Sequence, residues 1–224
     1  MFISNMKKKY LNKLHNSTQR NYLERMINQK VDCMIEAKKY EKNYWDGERK
    51  YGYGGYSYMP GRWSSFAKKL IHDYNLKDKS TVLEIGCGKG FLLKEFNDLN
   101  PKIKIEGLDI SRHAIKNSHP QVKKYLYRSD IRKGYGRDKS FDLVISLGVL
   151  HNFFINEVIQ VLKDIQRLSK GKAYILVESY RNEQELFNLQ CWALTCNSFF
   201  STKEWEYIFK IANYTGDYEF IYFK

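Results

Sequence analysis

The sequence predicts an α/β fold: a doubly wound, mostly parallel sheet with an N-terminal helical appendage and an abbreviated closing edge. Three observations carry that expectation. Short runs rich in Val, Ile and Leu recur between helical patterns from Thr81 onward, as in strands buried on both faces. The first run, within TVLEIGCGKGF at 81–91, ends in three glycines before Phe91, Leu92, Leu93 and Phe96 resume at helical spacing. Strand and helix then keep alternating in one order, as βαβ units do. Residues 1–63 read as helical appendage plus an aromatic, Gly-rich loop, and 64–224 as the main domain with an insertion at about 180–200.

The chain has 224 residues, a formal net charge of +13 and an isoelectric point near 9.4. That length holds one α/β domain with an appendage and excludes two full catalytic domains. The basic balance favours polyanions, which include nucleic acid, membrane surfaces and phosphorylated or nucleotide-linked small molecules, without choosing among them. Abundant Lys, Asn, Ile and Tyr also follow from an AT-rich coding bias, so part of the charge is discounted. Cys33, Cys87, Cys191 and Cys196 form no C-x-x-C pair and no His follows at zinc-ligand spacing, so no metal is expected. Without a signal peptide or an apolar run of about eighteen residues, the expectation is no membrane span and a cytoplasmic protein with reduced thiols.

Residues 1 to about 45 show no strand pattern. Leu23, Met26, Ile27, Val31, Met34 and Ile35 recur at helical steps behind candidate N-caps at Ser17 or Thr18. A helix is predicted whose apolar stripe docks on the main domain, with the basic segment 1–13 free to fray. Next, YWDGERKYGYGGYSYMPGRW at 44–63 holds five tyrosines, two tryptophans and five glycines, which fits neither a core helix nor a core strand. Gly-rich backbone bends close to a ligand, aromatic rings offer flat faces, and Arg62 offers a two-pronged donor to a carboxylate or phosphate. The competing reading is an aromatic plug at one end of the sheet. Ser64 or Ser65 then caps a cover helix with Phe66, Leu70, Ile71 and Tyr74 on one face.

Gly86, Gly88 and Gly90 remove side chains where the first strand ends, the place where open α/β sheets bind ligands, and leave backbone N–H groups at a helix start. With Phe91 at the last glycine position of the dinucleotide fingerprint, a nicotinamide cofactor fits less well. Alone, the glycines fit a tight turn as well as a ligand cradle. A second strand through Ile103, Ile105 and Leu108 ends at Asp109, which can accept both ribose hydroxyls of an adenosine or cap the helix beginning at Ser111. A third strand at Tyr125–Tyr127 leads to Asp130, which can accept from an adenine amine while Ile131 packs on the ring, or serve as a plain loop aspartate. Phe141–Ile145 forms a fourth strand, followed by a helix over Ile155–Ser169 and a fifth strand at Ala173–Val177. After a mainly helical insertion, a capping box at Ser201–Glu204 opens a helix carrying Trp205, Ile208, Phe209 and Ile211, and Tyr218–Phe223 reads as the last strand.

The E-x-G-x-G-x-G pattern at 84–90, with Asp109, Asp130 and FDLVISLGVLHNF at 141–153, resembles the class I S-adenosylmethionine-dependent methyltransferases from Thr81 to Phe153. The resemblance implies a Rossmann-like fold that uses S-adenosylmethionine and releases S-adenosylhomocysteine. It implies that Gly86 and Gly88 admit the methionine part beside Cys87 and that Glu84 orients the loop. Asp109, with Ile110 beside it, would hold the ribose, Asp130 and Ile131 the adenine, and Leu147 would offer a backbone contact. The family usually closes its sheet with an antiparallel hairpin, of which only one strand is evident here. Small-molecule members often build acceptor walls in an insertion such as 183–200.

His151, just after the fourth strand, is a candidate general base because neutral imidazole accepts a proton near pH 7. The alternative is a structural histidine, since positioning alone supplies much of the rate in many methyltransferases. Glu178 is the second catalytic candidate. Tyr53, Tyr56, Arg62, Trp63, Tyr180, Arg181 and Asn182 are expected to form the acceptor wall. More loosely, YGYGGYSYMPGRW and ESYRNEQELFNLQCWALT resemble small bacterial methyltransferases of surface-polysaccharide (capsule) and modified-sugar biosynthesis. That implies O-methylation of a small, polar, anionic acceptor, such as a sugar-linked or nucleotide-linked molecule. An RNA methyltransferase is the alternative, suggested by charge and aromatics. It is opposed by the lack of an RNA-binding module and of an N/D-P-P-Y motif. A degenerate binding subunit is opposed by the intact glycines and both acids.

Overall fold

The computed structural model describes residues 6–224. Its strands are β1 (Thr81–Ile85), β2 (Lys104–Asp109), β3 (Leu126–Arg128), β4 (Leu143–Leu147), β5 (Ala173–Glu178) and β6 (Asp217–Ile221). They form one sheet in the order β3-β2-β1-β4-β5-β6, and every pairing is parallel. The chain returns from edge strand β3 to β4 beside β1, so the order reverses there. A crevice opens at the carboxyl ends of these two strands, the standard ligand position in an open α/β sheet.

Side-chain alternation divides the core into two layers. Leu83, Ile85, Val144, Ile175, Val177 and Phe220 pack with Val158, Val161 and Ile165 of α8 (Ile155–Leu168) and Trp205 and Phe209 of α10 (Thr202–Ile211). On the other face Val82, Leu143, Ile145, Tyr174 and Leu176 meet Phe66 and Leu70 of α5 (Ser64–Asp73) and Leu93 and Phe96 of α6 (Phe91–Leu99). The predicted capping box is present, with the Ser201 hydroxyl and the Glu204 carboxylate each accepting from the other's backbone N–H. The predicted cap of α5 is absent: Trp63 occupies that position, and the Ser64 hydroxyl donates to Glu95 instead.

Among the described residues the closing edge is abbreviated, as expected, without the antiparallel hairpin usual in the family. Only β6 closes it among the described residues, parallel to β5, and residues 6–12 run along its outer side. Lys8 N donates to Tyr218 O at 2.7 Å and Tyr218 N to Met6 O at 3.1 Å. The buried Glu219 carboxylate accepts from the backbone N–H of Tyr10, Leu11 and Asn12 at 2.6–2.9 Å, from the Asn12 side chain at 2.7 Å and from the Tyr174 hydroxyl at 2.6 Å. The described part of the segment expected to fray is therefore anchored at the first turn of α1 (Asn12–Asn16).

The single predicted N-terminal helix is instead α1, α2 (Tyr22–Ile27) and α3 (Lys30–Ala37), with α4 (Lys42–Asp46) after them. Ser17 closes α1, and Asn21 caps α2 through Glu24 N. A left-handed Gln29 (φ 48°) separates α2 from α3 and resets the helical phase. Leu23, Met26, Ile27, Val31 and Ile35, expected to dock, are exposed, whereas Met34 packs with the buried Cys33 and Ala37. The α2 helix packs on α9 (Glu183–Trp192) of the insertion.

His15, at the end of α1, has Nε2 3.1 Å from Tyr222 O, which fixes the proton on that nitrogen because a carbonyl only accepts. Burial first, then Arg20, pulls its pKa down to about 4. The unfolded chain binds a proton near pH 6.5 that the native state refuses, so stability present above that pH is lost as pH falls toward 4. Urea midpoints measured from pH 7.5 to 4.5 are expected to fall, and His15→Gln to flatten that fall. An equally steep fall in the variant would remove His15 as a cause.

Candidate active site

A cavity of about 520 Å³ occupies the crevice. Its floor is the turn from β1 into α6, where Gly86 (φ 77°) and Gly88 (φ 54°) take left-handed conformations that L side chains rarely adopt. Close approach adds a second requirement: a Cβ on Gly86 would lie 2.1 Å from the Val149 side chain, and one on Gly88 2.8 Å from the Trp45 ring. Gly86 N and Cys87 N both donate to Leu108 O, which ties the turn to β2. Glu84 lines the cavity and is buried, and its Oε2 has no hydrogen-bond partner. Burial, then the neighbouring Asp109, holds its carboxyl well above the usual carboxylate range.

Asp109 is buried beside this turn, accepting from Gly88 N and Ser111 N at 2.8 Å each. Burial raises its pKa, against those two hydrogen bonds. Ser111 itself caps α7 (Arg112–Lys116) through Ala114 N. Above the turn sits α4. Trp45 Nε1 donates to Ser111 Oγ at 2.9 Å, and Asp46 pairs with the buried Lys89 at 2.6 Å and with His113 at 2.7 Å. Glu41 accepts from Arg112 N and His113 N at the start of α7. Tyr53 stacks on Trp45 and Tyr56 on Phe91, so the aromatic loop is packed over the glycine turn.

On the far wall, His151 and Glu178 come together from the ends of β4 and β5. His151 Nδ1 accepts from Glu178 N at 3.2 Å, so the ring proton lies on Nε2, which is 3.4 Å from Glu178 Oε2. Burial pulls the His151 pKa down against the pull of Glu178, keeping the ring neutral at pH 7. In that tautomer both ring nitrogens are engaged and neither offers a free lone pair. The geometry makes Glu178 the group able to accept a proton and His151 the residue that positions it.

Of the residues nominated from sequence, Glu84, Gly86, Cys87, Gly88, Leu147, His151, Glu178, Tyr53, Tyr56, Arg62 and Trp63 line the cavity. Others lie elsewhere. Arg181 is tied to Glu185, Asn182 caps α9 through Glu185 N, and Tyr180 packs with Leu189 and Phe223. These three follow the chain as it turns away into α9, so the acceptor wall expected of them is not formed. Asp130 chelates Arg132 rather than facing the crevice, and Ile131 is buried in the core rather than free to cover a ring. Ile110 is exposed next to Asp109. Sequence reasoning missed Trp45, Asp46 and Lys89. Lysine inside GCGKG and the acid in YWDG were the available signals.

Residues 76–213 match the profile of a family described as a methyltransferase domain. The chain belongs to this methyltransferase family. Among curated relatives, the malonyl-[acyl-carrier protein] O-methyltransferase of Bacillus cereus is 25% identical over 137 residues, covering 56% of this chain and 50% of the relative. The chain spans about half the length of that relative. Among solved structures, the plantazolicin methyltransferase BpumL, in complex with a substrate analogue and SAH, superposes with a TM-score of 0.55 at 16% identity, covering 83% of this chain and 78% of that one. The YcgJ protein of Bacillus subtilis gives 0.52 at 17%, covering 65% and 66%. At these identities the likeness establishes the fold of this methyltransferase-family chain. No helix in the described residues is long and apolar enough to cross a membrane.

Proposed function

We propose that the protein transfers a methyl group from S-adenosylmethionine to an oxygen of a small, polar, anionic acceptor. The observation that carries this reading is the shared cavity, which places the glycine turn and the unpartnered Glu84 carboxylate opposite the Glu178–His151 pair. The backbone of the glycine turn lines the cavity, and Glu84 Oε2 suits the ammonium group of the donor, whose charge would favour the ionised carboxyl. Asp109 is buried beside the turn and is not itself on the cavity lining; each of its oxygens uses one lone pair on a backbone N–H, and the other would accept from a ribose hydroxyl. S-adenosylmethionine, when bound, supplies an electrophilic methyl on a sulfonium that leaves as a neutral thioether. Glu178 would take the acceptor's hydroxyl proton, His151 would hold Glu178 in place, and the cavity walls would align the attacking oxygen. A sugar or an activated sugar precursor is the acceptor class favoured by the loop and insertion sequences, and it remains part of this proposal.

Isothermal titration with S-adenosylhomocysteine tests the donor site, and no binding would sink the reading. Asp109→Asn keeps the side-chain volume and one acceptor, and is expected to weaken that binding at least tenfold, about 1.4 kcal/mol, with the thermal melt retained. An unchanged affinity would remove Asp109 from the donor site. Methylated product from a panel of hydroxylated and carboxylated sugars, nucleotide-sugars included, tests the acceptor class.

A further inference from the structure

We propose that Arg20, Arg25 and Arg49, gathered around the Trp192 indole on the cavity wall, bind a phosphate or diphosphate group of the acceptor; this rests on the methyl-acceptor reading above. The three guanidinium carbons lie 5.4, 4.9 and 5.2 Å from the Trp192 ring centroid, and all four residues line the cavity. Arg132, Arg167 and Arg181 each hold a carboxylate. Among the described residues, Arg20, Arg25 and Arg49 hold none.

Backbone carbonyls fix the three heads while leaving donors free. Arg20 donates to His15 O at 3.1 Å, His15 Nδ1 at 3.3 Å and Thr18 O at 3.0 Å, and its buried Nε has no partner. Arg25 donates to Arg49 O at 2.7 Å and to Trp192 O at 3.4 Å, and Arg49 to Gly52 O. Lys30 adds a fourth cation, its ammonium held on Cys191 O and Ala193 O at 2.7 and 2.6 Å. Burial, then Arg49, pushes the Arg25 pKa down to about 10, and burial, then Arg25, pushes Lys30 down to about 8.

The charge of Glu178 reaches Arg20 and Lys30 from a distance, but no carboxylate among the described residues pairs directly with the cluster, so its cations repel one another, and the indole face attracts them without neutralising them. A bound dianion removes that cost. One carboxylate is filled by a single guanidinium fork, whereas the several terminal oxygens of a phosphate or diphosphate can take donors from all three. Glu178 lines the same cavity, so an acceptor with its anionic end on the arginines would present its hydroxyl to Glu178. Arg49 and Trp192 lie in the two stretches singled out for the acceptor side, whereas Arg20 and Arg25 carried no sequence signal.

The test is isothermal titration of the full chain with inorganic pyrophosphate, acetate and a single-stranded RNA oligonucleotide. Pyrophosphate is expected to bind in the submillimolar range, acetate to give no heat, and Arg25→Gln and Arg49→Gln each to weaken pyrophosphate binding at least tenfold with S-adenosylhomocysteine affinity unchanged. Arg49 is exposed, so its variant probes the site without threatening the fold. Absence of pyrophosphate binding, or wild-type pyrophosphate affinity in both variants, would overturn the proposal. RNA binding that depends on the same arginines and exceeds pyrophosphate affinity more than tenfold would overturn the small-molecule assignment. Arginine-dependent pyrophosphate binding without S-adenosylhomocysteine binding would support the anion site and sink the methyl-transfer reading.

Discussion

Glu178→Gln is expected to lower kcat by about two to four orders of magnitude while leaving S-adenosylhomocysteine affinity unchanged. The substitution keeps the side-chain shape and the backbone contacts, in which Glu178 N donates to His151 Nδ1 and Glu178 O accepts from Trp205 Nε1 at 3.0 Å. What it removes is the only property the tautomer of His151 leaves to this pair, a carboxylate able to take a proton. His151→Gln should act differently. It loosens the orientation of Glu178 without deleting the acceptor, so kcat falls less than in Glu178→Gln, and a further Glu178→Gln change in that background adds less than it does alone. Single-turnover rates with a confirmed acceptor measure both. A kcat within twofold of wild type in Glu178→Gln would mean that the attacking oxygen arrives already ionised, as a carboxylate does, and that no base is needed.

The second large effect concerns stability. Glu219→Ala is expected to cost about 3–5 kcal/mol, because the buried carboxylate gathers five donors, and its loss leaves backbone N–H groups of Tyr10, Leu11 and Asn12 without partners. For a chain of this size that lowers Tm by roughly 6–20 °C. Glu219 stands on β6, so the same change should free residues 6–12 and with them α1, and native-state hydrogen exchange at Lys8 and Leu11 should rise first. A Tm within about 2 °C of wild type would show that the segment is held by its other contacts. Because Leu11 and His15 also border the cavity, a loosened α1 should weaken acceptor binding more than donor binding.

Both predictions involve residues whose importance came from different kinds of information. Glu178 stood in a polar run after a predicted strand, and its candidacy needed only the order of elements. Its division of labour with His151 needed the hydrogen bond from its own backbone, which no spacing reveals. Glu219 alternates with Tyr218 and Phe220 in a strand pattern and reads as an ordinary outward-facing acid. It is buried because residues 6–12 fold back over it from the far end of the chain.

Strands, their order, the glycine turn, the Ser111 cap and the Ser201–Glu204 box were all legible in TVLEIGCGKGF and its successors, because each depends on residues within a few positions of one another. Backbone conformation and side-chain alternation act over that range. The arginine cluster proposed to bind an anion was not legible, since Arg20, Arg25, Arg49 and Trp192 meet only where α2 docks on α9. The same applies to Trp45 and Asp46 on the glycine turn, and to Arg181, which has a local partner in Glu185 and turns from the crevice. Local sequence therefore set the strands and the glycine turn, and long-range packing of the N-terminal helices chose which charges line the cavity, because burial and ion pairing are properties of surfaces brought together from distant parts of the chain.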